Sequence, residues 1–286
     1  MGKFLFFDID GTLVGKSREV TQKNKEAIAL ARENGHKAFV CTGRAPTSID
    51  KDILKIGFDG IISSAGGFVI IDDEFIFENF INQYVLSEVM TIFINNRIFF
   101  SLETKNTIYE TAGTTDFFHR RHVSMYKDNP ELIRAFELRR KGESRKNIKD
   151  FNICTTGVTK VCFIAEDKQN FYRVKPFLEE FFNIVLFSKD EDPYCNGEII
   201  IKNCTKADGI IKVVDHFGGK MKDTIAFGDS MNDYEMIQEA SVGVVYEGAV
   251  EELKQHASHF FKEPDEDGIY ISMKERKRQS NGHDGI

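Results

Sequence analysis

The first apolar block of the chain, Phe4-Leu5-Phe6-Phe7, ends within three residues on two carboxylates, Asp8 and Asp10. A short, unbroken apolar run bounded by turn signals predicts a strand buried on both faces, here over residues 3–9, and Gly11-Thr12 breaks it. Over residues 21–34, Ala27, Ile28, Leu30 and Ala31 recur among charges. That spacing predicts an amphipathic helix with Thr21 as its N-cap and Gly35 as its stop. A second short apolar run over 37–42, a helix over about 46–55 and a third run over 59–64 follow. Strand alternating with helix in this way predicts a parallel sheet wrapped by helices.

The pattern changes after residue 66. Phe68 to Ile71 and Glu74 to Phe77 flank Asp72-Asp73 and read as a hairpin. Beyond it the spacing predicts a helix over 84–94, strands over 98–103 and 107–111, and a helix plus loop over 129–149. A strand over 158–166, a helix over 170–182 and a strand over 184–188 come next. Regular alternation returns with a strand over 197–202, a helix over 206–217, strands at 224–227 and 242–245, and helices over 232–240 and 251–256. The charged end from 274 reads as frayed. The fold class expected is therefore α/β: a parallel-sheet core over 1–82 and 193–286, with an inserted α+β module over 83–192.

Composition narrows the function. The formal net charge of −7 argues against a nucleic-acid partner, which would require clustered Lys and Arg. An acidic protein can still take a phosphate substrate through one local cationic site, and a metal can supply it. Cys41, Cys154, Cys162, Cys195 and Cys204 form an odd set without a C-x-x-C pair. Free thiols in a reducing cytoplasm are expected. Asp8 and Asp10 interrupt what would be the apolar part of a signal peptide, and no apolar stretch is long enough to span a membrane.

The candidate chemistry lies at the C-terminal ends of predicted parallel strands, the edge where open α/β sheets bind ligands. In Asp8-Ile9-Asp10-Gly11-Thr12, residues two apart in an extended chain point the same way, so two carboxylates crowd one spot. Such crowding calls for a cation or a proton, and Mg²⁺ prefers oxygen ligands. Gly11 lets backbone N–H groups face an anion, although a solvated Asp-Gly turn shares part of this pattern. Thr42-Gly43-Arg44 offers a hydroxyl and amides at a second strand end, which can hold a phosphate or simply make a turn. Asp229, Asn232 and Asp233 in Gly228-Asp229-Ser230-Met231-Asn232-Asp233 follow a third apolar run and equally suit an N-capped helix. Lys206, between Thr205 and Asp208, sits in a capping-box pattern where a lone Lys is ordinarily solvated.

In this order and spacing the motifs resemble those of the haloacid dehalogenase superfamily of phosphotransferases, and the long insertion resembles the Cof-like subfamily with its type B cap. DIDGT resembles the first motif, Thr42 the second, Lys206 the third and GDSMND the fourth. The likeness extends to Glu198 and to Asp265-Glu266-Asp267-Gly268-Ile269. The chain departs from the subfamily at Ala65-Gly66-Gly67, at Thr205-Lys206-Ala207 and at Tyr246-Glu247-Gly248-Ala249. None of these departures touches the nucleophile or the metal ligands that the resemblance implies.

The resemblance implies a Rossmann-like core and a Mg²⁺-dependent phosphatase acting on small phosphate monoesters such as sugar or cofactor phosphates. Asp8 would be the nucleophile and Asp10 the acid and base. Asp8, the Asp10 backbone carbonyl and Asp229 would hold Mg²⁺, with Asp233 orienting that set. Gly11, Thr42, Gly43, Lys206 and Asn232 would face the phosphoryl oxygens, with Arg44 at phosphate or substrate, and the cap would choose the leaving group. A phosphomutase could use the same Asp8 and Asp10. A phosphorylated signalling receiver fits poorly, because Ser63-Ser64 and not an Asp follow the third strand. A capped binding protein without chemistry would have no need of the set.

Overall fold

The computed structural model describes residues 2–114, 117, 144–202 and 204–279. The chain runs through β1 (Phe4–Phe7), α1 (Gln22–Glu33), β2 (Lys37–Cys41), α2 (Lys51–Leu54), β3 (Gly60–Ser63), β4 (Phe68–Ile71) and β5 (Glu74–Glu78). It continues with α3 (Gln83–Asn95), β6 (Ile98–Thr104), β7 (Ile108–Glu110), β8 (Arg145–Asn147), β9 (Val158–Ala165), α4 (Lys168–Phe181), β10 (Phe182–Leu186) and β11 (Cys195–Ile201). It then forms α5 (Lys206–His216), β12 (Thr224–Gly228), α6 (Tyr234–Glu239), β13 (Val242–Tyr246), α7 (Glu251–Lys254), β14 (His259–Phe261) and α8 (Gly268–Gln279). Two units result. One takes the segments up to Arg44, from Ile49 to Glu78 and from Cys204 onward; the other takes Ala45–Ser48 and the segment from Asn79 to Lys202.

The first unit is an eight-stranded sheet in the order β14-β13-β12-β1-β2-β3-β4-β5. The strands from β14 to β3 are parallel, and β4 and β5 add an antiparallel hairpin. The FLFF run explains why β1 is central. Leu5 and Phe7 enter one core with Ile28, Val40 and Phe227, while Phe4 and Phe6 enter the other with Phe39, Val213 and Ala226. Successive side chains point to opposite faces, so an unbroken apolar run is what a strand covered on both sides requires. Thr21 caps α1 by accepting the Asn24 N–H, and Asn24, Ala27, Ile28 and Ala31 are buried. Leu30, read with the apolar stripe, is half exposed. The buried Asn24 joins α1 to the start of α8, giving its amide to the Pro264 carbonyl at 3.1 Å and accepting the Tyr270 N–H at 3.0 Å.

The second unit is a six-stranded sheet in the order β10-β11-β9-β6-β7-β8, antiparallel except between β7 and β8. Leu86 and Phe93 from α3 and Phe171 and Leu178 from α4 cover one face, meeting Phe100, Phe163 and Ile199. Glu103, Lys160 and Glu198 alternate with those residues and project from the other face. There Lys160 Nζ lies 2.6 Å from Glu198 Oε2 and 3.4 Å from Glu103 Oε2, all three side chains being largely buried.

Several elements also differ from the sequence reading. The helix expected over 46–55 is a 3₁₀ turn, Pro46–Ser48, followed by the single turn α2, because Asp50 between them is extended. β11, expected to rejoin the parallel core, pairs antiparallel with β9 and β10; an apolar run signals burial but not which sheet buries it. Of the stretch over 129–149, residues 129–143 lie outside the described part, while Arg145–Asn147 is a strand. The tail expected to fray from 274 is helical to Gln279.

Candidate active site

Asp8 stands at the C-terminal tip of β1, its N–H bonded to the Phe227 carbonyl at 3.0 Å. The chain then folds back. Leu13 and Val14 donate to the Ile9 carbonyl at 3.0 and 2.9 Å, and Gly11 donates to Val14 at 2.8 Å. Ile9 and Leu13, fully buried, anchor the turn from below. Gly11 is required twice over: its φ is +84°, and a Cβ would sit 2.1 Å from Asp229 Oδ2. Thr12, not singled out from the sequence beyond its place in the motif, donates its hydroxyl to Asp229 Oδ1 at 2.8 Å. The β1 turn and the β12 tip are thereby fastened together.

Thr42 follows β2. Its carbonyl accepts the Ala65 N–H at 3.0 Å, and the Arg44 carbonyl accepts the Ser64 N–H at 2.8 Å. Ser64, Ala65 and Gly66 all have positive φ, and a Cβ on Gly66 would lie 2.1 Å from the Thr205 carbonyl. One of the departures from the subfamily pattern thus packs between the Thr42 turn and the start of α5. Thr42 Oγ1 accepts the Arg44 N–H at 3.2 Å. The Arg44 guanidinium forks onto Asp10, with Nε 3.0 Å from Oδ2 and Nη2 2.7 Å from Oδ1, while Nη1 lies 3.2 Å from Asp50 Oδ2.

Lys206 opens α5 beneath a complete Thr205/Asp208 capping box. The cap is as the sequence suggested, but the side chain is not solvated. It is buried, and Nζ donates to Asp8 Oδ1 at 2.6 Å, Asp233 Oδ1 at 2.5 Å and Asn232 Oδ1 at 3.3 Å. Three acceptors match the three protons of an ammonium group. Asp233 also binds the other way, its Oδ2 accepting the N–H groups of Asp229 and Ser230 at 2.9 and 3.1 Å. It both caps the turn before α6 and holds Lys206. Gly43 lies beside Asn232, where a Cβ would make only an ordinary contact, 3.9 Å from Nδ2.

The electrostatics follow from burial. Asp8 is pushed up to about 7 by desolvation, opposed by Lys206 and reinforced by Asp233 and Asp10. Asp229 is also held well above the ordinary carboxylate range, first by burial and then by Asp233 and Asp8. Burial alone would lower the Lys206 ammonium, but the facing carboxylates of Asp233 and Asp8 raise it well above its ordinary value. Asp8, Asp229 and Asp233 each offer a carboxylate oxygen within 4.8 Å of one another. An all-oxygen donor set, with Asp8 and Asp233 buried and Asp229 half-buried, whose ionisation is costly without a cation suits a hard divalent ion. The Asp10 carboxylate is not in that group; it faces Arg44. Asp50, which sequence reading did not single out, completes the far side of Arg44.

The fold and these motifs define a hydrolase of the haloacid dehalogenase type. Residues 5–273 match the haloacid dehalogenase-like hydrolase family, and the chain belongs to it. Phosphatase YwpJ of Bacillus subtilis is 23% identical over 95% of this chain and 99% of its own. The 5-amino-6-(5-phospho-D-ribitylamino)uracil phosphatase YwtE of the same organism is 24% identical over 93% and 95%. Among solved structures, a protein from Geobacillus kaustophilus superposes with a TM-score of 0.78 at 20% identity, covering 96% of this chain and 98% of that one. The subclass IIB sugar phosphatase BT4131 gives 0.74 at 24% identity over 96% and 98%. Within its family, this chain is a phosphatase.

Proposed function

We propose that the chain hydrolyses small-molecule phosphate monoesters through an aspartyl-phosphate on Asp8. The observation that carries this is the buried Asp8 carboxylate at the β1 tip, oriented by Lys206 through Oδ1. In the first half-reaction an Asp8 oxygen bonds to phosphorus, the bond to the leaving oxygen breaks, and Asp10 gives that oxygen a proton. In the second, water attacks phosphorus, Asp10 takes its proton, and the bond to Asp8 breaks to release phosphate. Thr42, the backbone at Gly11 and Gly43, Lys206 and Asn232 line the phosphoryl oxygens. Asp8, Asp229 and the Asp10 carbonyl would hold Mg²⁺, with Asp233 ordering them; bound there, the ion neutralises charge on the phosphoryl group.

The substrate class rests on relatives such as YwtE, whose named substrate is a ribityl phosphate. A sugar phosphate or phosphorylated cofactor fits that class, and the inserted unit selects among leaving groups. Five free cysteines support action in a reducing cytoplasm. Transfer to a second sugar, as in a mutase, would use the same Asp8 and Asp10, but the relatives named phosphatases favour water as acceptor.

Phosphate release from a panel of monoesters, with and without Mg²⁺, tests the reading. Mg²⁺-dependent release is expected from the wild type and none from Asp8→Asn. Release that survives the substitution would remove Asp8 as nucleophile, and isomerised sugar phosphate in place of free phosphate would turn the assignment to a mutase.

A further inference from the structure

Asp50 occupies the N-cap position of α2 with extended backbone, φ −62° and ψ 134°, yet its side chain makes no capping hydrogen bond. An aspartate there ordinarily accepts an N–H from the first turn. Here the carboxylate faces Arg44 instead, with Oδ2 3.2 Å from Nη1. The Arg44 side chain is only 5% exposed, so its guanidinium is held between two carboxylates: Asp50 on the Nη1 side and Asp10 on the Nε–Nη2 edge. A guanidinium fork is planar, and a bidentate grip fixes the plane of the carboxylate it holds. The Asp10 side chain is itself 30% exposed.

We infer that Asp50 is a positioning residue for leaving-group protonation: it anchors Arg44, and Arg44 presents the Asp10 carboxyl in a fixed orientation. The inference rests on the proposed role of Asp10. In the step concerned the phosphorus–oxygen bond to the leaving group breaks, its electron pair stays on that oxygen, and the proton comes from Asp10. Losing Asp50 removes one of the contacts that hold Arg44 and loosens the fork, so the acid is presented less well while Asp8, Lys206 and Asp229 keep their contacts.

The dependence on leaving group separates this from a merely structural role. An alkyl phosphate expels an alkoxide that needs the proton, whereas p-nitrophenyl phosphate expels a phenolate that hardly does. For Asp50→Ala, which removes the acceptor as well as the charge, kcat/KM on glycerol phosphate is expected to fall about tenfold, a part of the 10²–10⁴ that a placed acid supplies. On p-nitrophenyl phosphate it is expected to change less than about twofold, and Asp50→Glu, which restores the charge, is expected to recover part of the alkyl phosphate rate. A parallel fall on both esters, or no fall on either, would overturn the inference. If the wild type turned over neither ester, the phosphatase reading would fail first and take this one with it.

Discussion

Asp8 makes the site destabilising in a way that can be titrated. Its carboxyl lies at about 7 in the folded chain against an ordinary 3.8, chiefly because it is buried. Below 3.8 both folded and unfolded chains hold the proton, and stability is unaffected. Between 3.8 and about 7 the folded chain keeps a proton that the unfolded chain releases, so stability falls as pH rises, and it levels off above 7. The difference between 3.8 and about 7, at about 1.36 kcal/mol per pH unit, amounts to about 4 kcal/mol. Asp8→Asn keeps the shape and an oxygen that can accept from Lys206, but it cannot ionise. Urea unfolding of both proteins in EDTA across pH 4–8 should therefore show the variant gaining on the wild type by about 4 kcal/mol, most of it between pH 5 and 7. Asp229 shifts with the same sign and is raised in part by the Asp8 charge, so the gain of the variant reads the coupled pair with Asp8 as the group removed. Mg²⁺ added at pH 8 should narrow the gap by stabilising the wild type, since a ligand of the folded state adds its binding free energy. A stability difference that stays flat with pH, or slopes the other way, would refute the assignment of a costly buried carboxylate at Asp8.

Two further perturbations test other parts of the structure. Gly11→Ala forces a side chain into φ +84° with its Cβ 2.1 Å from Asp229 Oδ2. Displacing Asp229 should raise the Mg²⁺ concentration for half-maximal phosphate release by about tenfold or more, in line with losses on disturbing metal-supporting contacts. In the second unit, Lys160→Met removes the cation between Glu103 and Glu198 and leaves two largely buried carboxylates facing each other. Unfolding at pH 7 should show a loss of about 3 kcal/mol, the scale of breaking a buried ion pair, and Glu103→Gln with Glu198→Gln in the same chain should restore part of it.

How far the sequence could be read depended on whether the signal was local. β1, β2 and β12 were legible because short apolar runs ending on polar residues are themselves the requirement for a doubly covered strand. Asp8, Thr42 and Asp229 then fell at strand tips without further assumption. Lys206 was harder. Its weight came from following the run at 197–202, which proved to belong to the other sheet, and from family resemblance; its burial depends on Asp8 and Asp233, 198 and 27 residues away. Asp233 was legible as a neighbour one turn beyond Asp229, but its double duty as turn cap and Lys206 acceptor appears only in three dimensions. The bond from Thr12 to Asp229 was signalled solely by the hydroxyl ending the first motif. Asp50 had no signal, since a charged residue in a polar loop looks the same whether it caps a helix or anchors an arginine.

The strand order carries a consequence for how the protein is made. β1 lies between β2 and β12, so one flank of its phenylalanine-rich edge is covered once residue 41 is made and the other only when residue 228 follows. At about 5–20 residues per second, roughly 10–40 s of synthesis separate the two events. In that interval the nascent chain carries an open apolar strand edge, the kind that recruits other chains. The intervening segment, meanwhile, already contains every described strand of its own sheet. On the ribosome the central strand of the enzyme thus stays covered on one flank until β12 arrives, with β13 and β14 still to follow, and no shortened chain that stops before β12 can hold Asp8 against Asp229.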